Sequence, residues 1–94
     1  MTIEEKLIHL VERLYAETES YLTNQSDAQL WYNRGYANGV VKVLIERQAL
    51  AGFSPQLKLD ESDLHSSERL MEWHKAYHHG YEMGESEARE VLPG

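Results

Sequence analysis

The pattern Tyr-x-x-Gly-Tyr-x-x-Gly occurs twice in this chain, at Tyr32–Gly35–Tyr36–Gly39 and again, 45 residues later, at Tyr77–Gly80–Tyr81–Gly84. Both copies lie inside stretches whose apolar spacing is helical. A glycine in a helix interior costs about 1 kcal/mol relative to alanine, so the four together forfeit roughly 3–4 kcal/mol. That is a large share of a small domain's stability. A close helix crossing, a backbone that approaches a ligand, or a kink would compensate. Glycines four apart fall on one helix face and leave a flat groove there. If the two grooves face each other, the helices cross inside the usual ~8–10 Å, with tyrosines on either flank. Small-x-x-x-small pairs use this geometry in membranes. Close helix packing is therefore the role expected of Gly35, Gly39, Gly80 and Gly84. Beyond the shared positions the flanks agree poorly, and two units are too few for a solenoid.

Around these motifs the chain predicts three helices. Thr2 and Glu5 have capping-box spacing, and Ile3, Leu7, Leu10, Leu14 and Tyr21, widened by Val11, Tyr15 and Leu22, give an apolar stripe over about residues 3–22. Ser26 and Gln29 repeat the capping spacing before a second helix over about 27–51, with Gly52 as a left-handed terminator. That helix is apolar around most of its circumference, which places it centrally. Pro55 ends it. A third helix is expected over about 62–92, with Leu70, Trp73, Tyr77, Gly80, Tyr81, Gly84, Ala88 and Val91 on one face. Leu57 and Leu59 alternate with Lys58 in an extended pattern before it. The expectation is an all-α three-helix bundle, one helical domain over 1–94, assembled as a homo-oligomer.

Composition narrows the function. A formal charge of −7 and only nine scattered Lys and Arg argue against nucleic acid as a partner. They favour steering toward basic surfaces. The chain has no cysteine, so disulfides, zinc–thiolate sites and thiol catalysis are excluded. Its first residues are acidic where a signal peptide is basic, and no run approaches 18 apolar residues, so a soluble cytoplasmic protein with no membrane partner is expected. No Gly-x-Ser-x-Gly elbow, phosphate loop or Cys–His pair occurs, so no enzyme activity and no cofactor are expected.

Two residue sets stand out as candidate sites. Trp31, Tyr32, Tyr36, Trp73, Tyr77 and Tyr81 put six large amphipathic rings into two short segments, and such rings are enriched at binding hot spots. A core this small does not bury six rings fully, so some are expected to meet a partner or ligand. His74, His78 and Glu82 stand four apart along one helix, a spacing that lets side chains share a metal ion. One helix supplies too few fixed ligands for a closed site, and a solvated charged face is the plainer expectation. Protonation of the five histidines near pH 6 would cut the negative charge and make assembly pH-sensitive.

In size, acidity, absence of cysteine and helical make-up without catalytic motifs, the chain resembles the small proteins that phages encode to block bacterial defence, the anti-CRISPR proteins among them. The resemblance implies a non-enzymatic inhibitor that binds a protein partner stoichiometrically, its acidic faces plugging a basic groove. Glu82, Glu85, Glu87 and Glu90 on the third helix, and Glu4, Glu5 and Glu12 on the first, are the acidic residues such a face would use. Two other readings stand beside it. One is a nucleotide or nucleotide-signal binder, with bases on the tyrosines and phosphate against the glycine backbone, served by Arg34, Lys42, Lys75 and His79 as the nearby positive groups. The other is a metal-dependent enzyme using His74 and His78.

Overall fold

The computed structural model of the chain describes residues 2–23, 26–48 and 72–92. Among the described residues the architecture is all-α and without strands: α1 (Ile3–Glu17), α2 (Ala28–Glu46) and α3 (Glu72–Val91), with a single 3₁₀ turn at Tyr21–Thr23. Thr2 starts α1 by accepting a hydrogen bond from the Glu5 amide at 3.1 Å. The Glu5 carboxylate accepts from the Thr2 hydroxyl, where the capping-box pattern has it reach the backbone.

α1 is shorter than the stripe over 3–22 predicts. It stops at Glu17 because Thr18 turns its hydroxyl back onto the Leu14 carbonyl, 2.6 Å away, alongside its own amide. This back-bonding competes with helix propagation. The chain then folds Tyr21 edge-on against Trp31, with ring centroids 4.8 Å apart. α2 begins after Asp27, whose carboxylate accepts from the Leu30 amide, rather than at Ser26. It ends at Glu46, short of the expected 51. Gln48, at φ 54°, takes a left-handed conformation just past that end; Gly52 and Pro55, expected to terminate the helix, lie outside the described residues. The described part of the third helix starts at Glu72; its expected beginning at 62, and the extended pattern at Leu57 and Leu59, lie outside the described residues.

α2 is central, as its all-round apolarity predicts. α1 runs against it in the opposite sense, with Thr18 beside Arg34 and Tyr15 beside Asn38. Ile8, Val11 and Leu14 of α1 join Ala37, Val40, Val41 and Leu44 of α2, and Ala88 of α3, in one core. A second cluster holds Tyr21, Trp31, Trp73 and Tyr77. The Trp31 and Trp73 rings sit 4.3 Å apart. No helix among the described residues is long and apolar enough to cross a membrane.

Candidate functional site

α2 and α3 run parallel, and the two motif copies form their crossing. A Cβ built on Gly35 would lie 2.0 Å from the Tyr77 carbonyl oxygen, and one on Gly80 would lie 2.1 Å from that of Tyr32. One turn further on, Gly39 meets the Tyr81 carbonyl at 2.1 Å and Gly84 meets that of Tyr36 at 2.2 Å. Each glycine of one copy therefore packs on the tyrosine three residues before the matching glycine of the other copy. The relation is a local two-fold along the helix pair. The hydrogen that stands in place of each Cβ points at a carbonyl oxygen, the arrangement of a Cα–H···O contact. Backbone meets backbone, so this face has no space for any further group.

The pseudo-symmetry extends to the flanks. On one side Lys42 lies over the Tyr81 ring, 5.9 Å from its centroid. At the matching place on the other side, the Tyr36 hydroxyl donates to the Glu87 carboxylate. Tyr77 and Tyr32 also correspond, yet their surroundings differ. Tyr77 is buried and its hydroxyl accepts from the Asn38 amide at 2.7 Å, while the Asn38 carbonyl accepts from the Tyr15 hydroxyl at 2.5 Å. A fully buried asparagine thus links all three helices, and buried polar groups keep their place through such bonds. Tyr32 is half-buried, beside the His79 ring at 5.6 Å.

The six aromatic candidates therefore separate. Trp31, Trp73 and Tyr77 belong to the core, while Tyr32, Tyr36 and Tyr81 remain half-buried at the surface. Arg34, only 5% exposed, is a core residue as well. Its guanidinium lies over the Tyr15 ring at 4.3 Å and the Tyr21 ring at 4.7 Å, and donates to the Thr18 hydroxyl. In the sequence Arg34 stands out only as positive charge near the motif. Asn38 has no spacing signal in the sequence: it is fully buried, whereas the other two amides of α2, Gln29 and Asn33, bond each other near the surface.

Charge is divided between the two flanks. Arg89 bridges Glu46 at 2.9 Å and Glu85 at 2.8 Å, and Lys42 reaches Glu85 at 3.2 Å. The hydrogen bond from Arg89, aided by Lys42, holds the Glu85 carboxyl below the usual carboxylate range. Tyr36 moves the other way: burial first, then its bond to Glu87, pushes the phenol well above its ordinary value. Around Tyr36 lies a groove of about 300 Å³. Val40 and Ala88, both 1% exposed, form its floor. Leu7 and the exposed Val91 form an apolar rim, and Glu87 and Glu90 stand at its edge. Among the described residues neither carboxylate has an ion-pair partner.

On the far side of α3, His78 pairs with Glu82 at 2.9 Å on the open surface, and His74 packs against Trp73. Among the described residues no three His, Asp or Glu side chains gather closely enough to hold a metal ion. No protein-family model, curated protein or solved structure matches this chain.

Proposed function

We propose that this protein is a non-enzymatic binding module that associates stoichiometrically with a basic surface of a protein partner. The supporting observation is that Tyr32, Tyr36 and Tyr81 stay half-buried beside a helix whose outward residues Glu82, Glu87 and Glu90 are exposed. Tyrosine contributes large rigid contact area with a polar tip, as binding hot spots require. A net charge of −7 steers it toward positive surfaces. A phage-type inhibitor that plugs a basic groove of a host defence protein would work in this way, and that remains the finer form of the proposal.

The glycine backbone supports no phosphate-binding role, since all four glycines are covered by the opposing helix. Self-association is a second form of the reading, favoured by Ile3, Ile45, Met83 and Val91, the large apolar side chains left most exposed among the described residues. Light scattering on a sizing column reports it directly.

Affinity purification with the wild-type chain and with a Tyr32→Ser/Tyr36→Ser/Tyr81→Ser variant tests the proposal, helicity being checked by circular dichroism. A partner retained near equimolar ratio by the wild type and lost by the folded variant is the expected result. A partner held equally by both chains would remove these tyrosines from the interface.

A further inference from the structure

We infer that the groove around Tyr36 is the pocket that takes an arginine side chain from a basic segment of the partner, an inference that rests on the binding-module reading above. At about 300 Å³ the groove stands at the small end of ligand sites, suited to one long side chain rather than a whole cofactor. Its chemistry changes from floor to edge. Val40 and Ala88 lie at the bottom, Leu7 and Val91 at the rim, and the carboxylates of Glu87 and Glu90 at the mouth. An arginine matches that order, with an apolar stem and a charged planar head.

The head would meet carboxylates that are free to receive it. Two cations of the flanking helices are committed elsewhere: Lys42 of α2 to Glu85, and Arg89 of α3 to Glu46 and Glu85. Glu87 already accepts from Tyr36 through Oε2, which fixes that carboxylate in place and leaves its other oxygen for a guanidinium N–H. Glu90 forms no hydrogen bond or ion pair among the described residues. The Tyr36 ring adds a face over which a guanidinium can lie. Lysine would fit less well, because its compact ammonium lacks the planar fork that can lie over the ring and reach both Glu87 and Glu90.

The test uses the full-length protein and a fluorescent amphipathic helical peptide with one central arginine on its apolar face and lysines opposite, read by anisotropy. Four variants are compared: Glu90→Gln and Val91→Ser at the groove, and Glu17→Gln and Glu72→Gln, exposed carboxylates outside the proposed binding face. The three glutamine variants change net charge equally, so a difference between them reports location. Binding weakened about threefold to fivefold by Glu90→Gln, weakened also by Val91→Ser, and nearly unchanged in the two outside variants supports the pocket. Replacing the peptide arginine with citrulline, which keeps shape and removes charge, should give the same loss and make Glu90→Gln silent. If all three glutamine variants weaken binding alike, the pocket is overturned, while the acidic-module reading stands as plain electrostatics. If a peptide of this kind does not bind at all, both are overturned.

Discussion

Gly35 and Tyr77 touch backbone to backbone: any Cβ at Gly35 would come within 2.0 Å of the Tyr77 carbonyl oxygen, and Gly80 stands in the same relation to Tyr32. Four such contacts make the doubled motif one device. Its two halves lie far apart in sequence because parallel helices cannot be joined by a tight turn. Flattening four positions lets two helices pack at backbone contact, and this offsets the propensity that the glycines forfeit.

Alanine at Gly35 or Gly80 tests that relationship. In an isolated helix either change would stabilise by about 1 kcal/mol. Here the clash is with backbone, which cannot rotate away, so each is expected to destabilise by about 1–3 kcal/mol or more. Gly39→Ala and Gly84→Ala should behave alike, given their near-equal approaches. Urea unfolding followed by circular dichroism reads all four. A glycine whose alanine variant is more stable than wild type does not lie in the crossing.

Asn38 is expected to couple Tyr15 and Tyr77. Asn38→Leu takes a bonding partner from both hydroxyls in the interior and should cost about 1–3 kcal/mol. Tyr15→Phe and Tyr77→Phe should each cost less. A double-mutant cycle between Asn38→Leu and Tyr77→Phe should show clear non-additivity. Additive effects would mean that the two do not share a bond.

Much of this was readable in the residues, and the failures have physical causes. Thr2 as a cap, the central place of the second helix and the facing grooves follow from spacing alone. The early end of α1 does not, because Thr18 breaks the helix through its hydroxyl while the apolar stripe continues as far as Leu22. Nor does the start of α2, where Ser26 and Asp27 both offer a cap and it is Asp27 that accepts from the Leu30 amide. The parallel sense of α2 and α3 was hidden as well, since a glycine groove is compatible with either direction. In the sequence the six rings form one set. Only the fold shows that Tyr77 packs among Tyr21, Trp31 and Trp73 while its counterpart Tyr32 stays half-open. The groove at Tyr36 gathers Leu7, Glu87 and Val91 from positions with no common sequence pattern.

Arg34 is held by ring faces, so Arg34→Lys should not be conservative. A compact ammonium cannot stack on Tyr15 and Tyr21 together, and a loss of about 1–2 kcal/mol is expected. Arg34→Met should fold, because it keeps the stem. Thermal unfolding of the two variants against wild type checks the ranking.

Two pH limbs follow from the perturbed groups. Glu85 has a lowered pKa in the folded protein, so its contribution is present above its ordinary 4.5 and is lost as pH falls through the folded value. Tyr36 is raised, so its contribution is present below 10.0 and is lost as pH rises beyond that toward the folded value. Glu85→Gln should flatten the acid limb alone, and Tyr36→Phe the alkaline limb alone, in denaturation midpoints measured from pH 3 to 11. Effects at Glu85 will be small, since its partners Lys42 and Arg89 are well exposed and screened.

The parallel crossing is the central claim, and the absence of native cysteine makes it directly measurable. Nitroxide labels at Glu46→Cys and Arg89→Cys, whose native side chains meet at 2.9 Å, are expected to show short-range dipolar broadening. Labels at Glu46→Cys and Glu72→Cys should lie about a helix length apart, ~28 Å for the nineteen residues of α2. The reverse order, with positions 46 and 72 close and 46 and 89 far apart, would mean antiparallel helices and would contradict the account.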